Sequence, residues 1–349
     1  MRAVVMRDFG DEDVLELDEV DDPSPGEGEA VVRVGAVEVS STRDIATRTG
    51  RHPFSRHVSL PHVLGGDFAG VVQATGPGVD PRLVGRRVAV ANSRSCGACD
   101  ACLDGREEQC AELTMLGIHR WGSYAELAAV PAANLNEIPE DVSLPHAAAM
   151  AATGPIALTQ LERGGVGPGT WMLVTGVTGA LGTMLAVIGA RLRARVIGLS
   201  RRPAAIPDDL TLMARLDSGD HGLTRALELA TRHDGVAVAI DNVANGDVFG
   251  RYFPALAIGA RIVISGAIGG PQLPVLPVPA APFYIRSLSL LGVRTTTARD
   301  IDRFWSMVAD GLRLPDGLVH SLPLDQAAAA HAQITRGDAV GHTVLTIPA

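Results

Sequence analysis

Four cysteines fall in one short stretch, Cys96-Gly-Ala-Cys99-Asp-Ala-Cys102-Leu-Asp-Gly-Arg-Glu-Glu-Gln-Cys110. The spacing is C-x2-C-x2-C-x7-C. Four thiolates so placed satisfy tetrahedral Zn²⁺ and leave no open coordination position, so the metal they would hold is structural. An iron–sulfur cluster is the rival reading, but the ferredoxin run closes with C-x3-C-P, which is absent here. Unliganded buried thiols are the remaining alternative, and four of them seldom cluster without a metal.

The second group is a glycine loop. After the apolar run WMLVT comes Gly176-Val-Thr-Gly179-Ala-Leu-Gly182, opening a helical pattern near Ala180. Glycines at a strand–helix junction permit a tight turn and let backbone N–H groups approach a pyrophosphate at the helix N-terminus. Gly176, Thr178, Gly179, Ala180 and Leu181 are the expected cofactor contacts. The next strand, RVIGLS, ends in Ser200-Arg201-Arg202. An NAD site places a carboxylate there for the ribose 2′-OH, whereas a hydroxyl and guanidinium groups suit a 2′-phosphate. NADPH is therefore expected, the alternative being two arginines that merely face solvent.

These groups need scaffolds of two kinds. The chain has 349 residues, enough for two domains, with 46% hydrophobic and 20% charged residues, so it folds rather than staying disordered. Residues 1–90 read as strands with turns: AVVMRDF, EAVVRVGAVEV, DFAGVVQATG and RRVAVAN. From about residue 145 the pattern turns to an Ala-rich helix. WMLVTG, RVIGLS, VAVAID, RIVISG and LSLLGV then alternate with helical segments, the mark of a parallel doubly wound sheet. PQLPVLPVPAAP (271–282) reads as an extended loop, and the end of the chain as a helix and a closing strand.

Composition excludes several functions. The net charge is −9 and aromatics are only 4%, against the basic footprint and stacking platform of a nucleic-acid binder. No lysine occurs, and the residues four after Tyr124, Tyr252 and Tyr284 are Ala128, Leu256 and Leu288. Schiff-base chemistry, a Walker lysine and a Tyr-x-x-x-Lys pair are all excluded. No 18-residue apolar run and no signal-peptide pattern occur, so no membrane role is expected and a cytoplasmic address is.

Together these residues, with Asp241-Asn242-Val243 before a helix, resemble the medium-chain dehydrogenase/reductase superfamily, the zinc-type alcohol dehydrogenases and their quinone-oxidoreductase relatives. The resemblance spans nearly the whole chain. It implies an α/β fold with a GroES-like β-rich catalytic domain (1–153 and 296–349, its zinc lobe at about 93–112) and a Rossmann domain (154–295). It also implies cofactor contacts from Asn242, Gly266, Ala267, Ile268 and His342, the last as a cation, and a homodimer paired through LSLLGV.

The departures narrow the chemistry. A catalytic zinc in that superfamily takes a Cys from a C-x-x-D segment, a His from a G-H-E segment, and a Cys or Asp before the first nucleotide-domain strand. Here Ser41, Gly66 and Ala152 stand at those positions, and the proton-relay hydroxyl and His fall at Arg43 and Ala46. Rebuilding the site from His52, His57 or His62 lacks a helical ligand spacing. Without a Lewis acid, hydride addition to a conjugated C=C or quinone is easier than reduction of a plain ketone, because hydrogen bonds can take the charge. By resemblance, Ser41, Thr42, Asp44 and Asp67 are the candidate polar groups at the reacting centre. Trp121, Tyr124, Phe283 and Tyr284 are candidate walls for a small-molecule substrate. A ketone or iminium reductase and a cofactor-binding protein without turnover are the alternatives.

Overall fold

The computed structural model describes residues 1–266 and 275–348, which form two compact units. The first comprises Met1–Thr153 and Thr297–Ala349, the second Gly154–Thr296.

The first unit is built on β-branched runs. Its large sheet runs in the order Leu135–Glu137, Arg87–Val90, Asp67–Thr75, Glu29–Glu38, His342–Thr346, Val319–Pro323, and Leu127–Pro131 also pairs with Glu29–Glu38. A smaller sheet sets Arg2–Met6 between Leu15–Glu19 and His62–Val63. Val4, Val32, Val34, Phe68, Val72, Val88 and Leu345 close the core between them. Strand Glu29–Glu38 is the hub, and its antiparallel register sets Glu38 directly opposite Asp67. A Cβ on Gly70 would run into the Arg33 carbonyl, so the two strands approach closely only because Gly70 has none.

The second unit is a six-stranded parallel sheet in the order Ala214–Asp217, Arg195–Ser200, Trp171–Thr175, Val236–Ile240, Leu256–Ile264, Ser289–Gly292. That is the 3-2-1-4-5-6 order of a dinucleotide-binding sheet. Trp171–Thr175 is buried at every position, as a central parallel strand must be. Helices Ala180–Arg191, Leu223–Ala230 and Gly246–Tyr252 lie between its strands in sequence. Asn245 caps the last of these by accepting from the Asp247 and Val248 N–H groups, both at 3.1 Å.

The strands expected at RVIGLS and LSLLGV are present, as Arg195–Ser200 and Ser289–Gly292. The expected extended loop over 271–282 needs correction. Residues 271–274 lie outside the described residues, and Ala280–Pro282 open the helix Ala280–Ile285. A proline in a first helical turn lacks only an N–H that has no intrahelical partner there. Leu15–Glu19, His62–Val63 and Val319–Pro323 escape the sequence reading because they are short or polar. Leu15–Glu19 is an edge whose Glu16 and Asp18 pair with Arg7.

The glycine loop is sterically specified. Gly176 takes φ +63°, and Gly182 sits inside helix Ala180–Arg191, against the loop backbone. A Cβ there would collide with the Gly176 carbonyl oxygen and stand 2.8 Å from Val177 Cα. Gly182→Ala should cost about 1–3 kcal/mol, the usual penalty for overpacking, and lower the urea midpoint followed by circular dichroism. Gly250→Ala, a helical site with open space around its Cβ, should leave that midpoint unchanged or raise it.

Candidate functional site

In the second unit, the residues expected to hold a dinucleotide gather at the C-terminal ends of the parallel strands. Helix Ala180–Arg191 begins on Gly179, so its first N–H groups open beside Gly176. Thr178 Oγ1 lies 3.4 Å from Ser200 Oγ, which also accepts from the Arg202 N–H at 3.0 Å. Ser200 is thus buried and fixed, while the Arg201 and Arg202 side chains are exposed. Asp241 is 1% exposed and saturated. It accepts from the Val243 and Ala244 N–H groups, from Thr175 Oγ1 at 2.9 Å and from the Tyr252 hydroxyl at 2.8 Å. The turn it ties down carries Asn242, whose Oδ1 accepts from the Ser265 N–H at 2.7 Å and whose Nδ2 donates to Gln160 Oε1 at 3.0 Å. Gly266 follows Ser265; Ala267 and Ile268 lie outside the described residues.

In the first unit, the candidate polar groups converge on a residue that the sequence reading counted only as a lost hydroxyl. Ser40 opens a wide helical turn, accepting at its carbonyl from the Asp44 and Ile45 N–H groups, and the turn aims Arg43 inward. The Arg43 guanidinium is 4% exposed and bridges two carboxylates. Its Nε and Nη2 fork onto Asp44 at 3.0 and 3.3 Å, and its Nη1 donates to Asp67 Oδ1 at 2.7 Å. Asn92 Nδ2 donates to the same Asp67 oxygen at 2.7 Å, and the Ser40 N–H to Asp44 Oδ2 at 2.9 Å. Burial disfavours the charge on Arg43, but Asp44 and Asp67 outweigh it and raise its pKa further, so it stays a cation.

Around this trio lie partners that no spacing announced. The Tyr124 hydroxyl stands 3.3 Å from Asp44 Oδ2 and 3.0 Å from His331 Nε2. Glu38, opposite Asp67, meets His342 Nδ1 at 2.5 Å. Burial and the neighbouring Asp67 push Glu38 well above the carboxylate range, while burial drives His342 down to about 3. Burial thus disfavours the charged form of both partners.

Several expected roles change here. Asp44 and Asp67 are not free polar groups but the counter-ions of Arg43. His342 is no cation, since it is fully buried and neutral above about pH 3. Tyr124 is no pocket wall but a core residue with no exposed surface. Trp121 is 40% exposed, donates to the Pro61 carbonyl and edges a cavity of about 140 Å³. Phe283 packs against the core of the second unit, and Tyr284 is exposed on helix Ala280–Ile285. Ser41 is half-buried and Thr42 exposed, the Thr42 hydroxyl lying 3.4 Å from Ser40 Oγ. His52 and His57 flank Phe54, with His119 stacked on His57 at 5.1 Å. Burial, then the charge of Arg43, holds His52 down to about 4.

A zinc fits one place and not the other. Cys96, Cys99, Cys102 and Cys110 bring their sulfurs within 4.8 Å of one another, with 3.9 Å between Cys96 and Cys102 and 3.5 Å between Cys99 and Cys102. A tetrahedron of Zn–S bonds of about 2.3 Å needs sulfurs roughly 3.8 Å apart. The Ala98 and Cys99 N–H groups pull the Cys96 thiol down to about 6, toward the thiolate a metal requires, while the sulfur neighbours push the Cys99 thiol up to about 11. Among the described residues no second group of Cys, His, Asp or Glu converges in this way, so His52, His57 and His62 rebuild no site. Nor does a catalytic zinc fit at Ser41, Gly66 and Ala152. A Cβ on Gly66 would lie 3.0 Å from Arg43 Cζ, so the guanidinium fills the space an imidazole at that position would use. Elemental analysis should find about one zinc per chain. Cys99→Ser should lower both the zinc content and the melting temperature.

Residues 26–140 match the alcohol dehydrogenase GroES-like domain, and residues 217–345 the zinc-binding dehydrogenase family. An alcohol dehydrogenase of Geobacillus stearothermophilus is 27% identical, with 99% of each chain covered. The crystal structure of an NAD-dependent alcohol dehydrogenase is 31% identical over all of both chains, with a TM-score of 0.89. The rspB protein of Escherichia coli CFT073, solved with NADH, is 25% identical over 99% of each chain, with a TM-score of 0.85. With its four-cysteine lobe, its GroES-like unit and its parallel nucleotide-binding sheet, the chain belongs to the medium-chain dehydrogenase/reductase superfamily of oxidoreductases.

Proposed function

We propose that this oxidoreductase uses NADPH to reduce an activated double bond, an enone or a quinone, with no metal at the reacting centre. The observation that carries the reading is the Arg43 guanidinium standing against Gly66 where a zinc-bound imidazole would be. Bound NADPH supplies the hydride. The N–H groups at the start of helix Ala180–Arg191 hold the pyrophosphate, and Ser200 with Arg201 and Arg202 holds the 2′-phosphate. Asp241 fixes the turn that presents Asn242. As hydride adds to the β-carbon, negative charge grows on the conjugated oxygen, and the Ser41 or Thr42 hydroxyl donates to it. Water returns a proton to the α-carbon. Two solved relatives are described with NAD or NADH; the reading for this chain rests on its own Ser200-Arg201-Arg202.

The charge count favours a second reading. One guanidinium faces two carboxylates, Asp44 and Asp67, within a buried network. Beside such a site a positively charged acceptor is stabilised, and a developing oxyanion is not. An iminium ion, which hydride converts to a neutral amine, suits that field.

The chain is further proposed to pair with a second copy through the edge strand Ser289–Gly292. Leu290 there, and Tyr284 and Ile285 on the preceding helix, are 44%, 71% and 67% exposed. Light scattering should report a dimer at micromolar concentration, and a monomer would refute the pairing.

An NADPH-oxidation panel of quinones, enones, enoyl thioesters, cyclic iminium ions and simple ketones tests the reaction. Turnover of conjugated acceptors supports the first reading and of iminium ions the second. Tight NADPH binding with no turnover on any of them rejects both. Arg201→Ala should weaken NADPH about tenfold to a hundredfold, as expected for one charge-assisted bond of roughly 1.5–3 kcal/mol, and leave NADH nearly unchanged. Wild-type protein that binds NADH as tightly as NADPH would overturn the cofactor assignment.

A further inference from the structure

We infer that the Arg43 guanidinium is a built-in replacement for the catalytic metal of the superfamily: it occupies the metal's space, pairs with both carboxylates there, and closes the site to divalent cations. The inference is independent of which double bond is reduced, because it concerns what the site can hold.

Three observations carry it. First, the three positions that supply zinc ligands in relatives are Ser41, Gly66 and Ala152, and none offers a thiolate, imidazole or carboxylate. Second, the vacated space is filled. The atoms nearest a Cβ on Gly66 are Arg43 Cζ and the Leu116 carbonyl oxygen, both at 3.0 Å, and Arg43 Nη1 at 3.1 Å. Third, the surrounding groups are arranged for a cation. Asp44 and Asp67 reach it from two sides, Asn92 braces Asp67, and the Ser40 N–H and the Tyr124 hydroxyl brace Asp44. All of these carboxylates are nearly inaccessible, and buried acids persist only when paired. A guanidinium does this with charge and a fixed fork of donors, and unlike a metal it cannot dissociate or exchange.

The losses are therefore coupled. An arginine at position 43 is incompatible with an imidazole at position 66, and without that imidazole the thiolate at position 41 has no partner ligand. Restoring the ligands should not restore the metal while Arg43 remains.

The test compares two forms of the full chain already carrying zinc in its cysteine lobe. One bears Ser41→Cys, Gly66→His and Ala152→Asp with Arg43 kept; the other adds Arg43→Thr. Both are titrated with ZnCl₂ by calorimetry and analysed for metal content, and neither readout depends on turnover. The first form should take up no second zinc. The second should take up one per chain, with a melting temperature that rises as zinc is added. A second zinc bound equally in both forms, or in neither, overturns the inference. If the Arg43→Thr form does not fold, Arg43→Met alone and with Asp67→Asn are compared in urea. The double variant should be the more stable, because it leaves one buried acid, Asp44, without a cation where the single variant leaves two, and a double variant less stable than the single one overturns the inference.

Discussion

Carboxylates gathered at one end of a β-sheet, out of reach of water, must be either paired or protonated, and the first unit meets this constraint in both ways. The antiparallel register puts Glu38 opposite Asp67, and the turn after Glu38 delivers Asp44 to the same end. Arg43 pairs with two of the three acids, and burial pushes Glu38 toward its protonated form beside His342. Removing one partner would leave a buried charge uncompensated, so these residues are held together more tightly than any pair among them would be alone. The Ser40 hydroxyl, which accepts from the Arg43 N–H at 3.3 Å, the brace from Asn92 and the burial of Tyr124 all serve to keep this network satisfied.

The second unit uses a buried carboxylate differently. Among the described residues no cation reaches Asp241; its carboxylate is met by two backbone N–H groups and two hydroxyls. Such a group works as a clamp, fixing the turn that carries Asn242 at the end of its strand. The two units thus show two electrostatic solutions to one geometric problem, placing polar atoms where strands end.

What was legible in the sequence was local. The cysteine spacing, the glycine loop and the apolar parallel strands each depend on residues a few positions apart, and the structure reproduces them as sulfurs in contact, a strand–turn–helix and a doubly wound sheet. The Arg43 network was not legible, because its partners are remote. Asp67 lies 24 residues from Arg43, Tyr124 lies 80 from Asp44, and His331 lies 207 from Tyr124. Arg43 itself was visible only as a missing hydroxyl. Tyr124 and His342 went astray for a related reason. Sequence position suggested a wall and a cation, whereas burial turned one into packing and left the other uncharged.

The large sheet of the first unit also dictates an order of events during synthesis. Strand His342–Thr346 lies between Glu29–Glu38 and Val319–Pro323, so the hub strand lacks that neighbour until residues 342–346 have been made. The second unit needs nothing beyond residue 296. On the ribosome, the nucleotide-binding unit can therefore complete its fold while the first 153 residues still wait with an open sheet edge. A nascent chain stalled near residue 330 would carry a finished domain and an unfinished one, and the unfinished one is where a chaperone would bind.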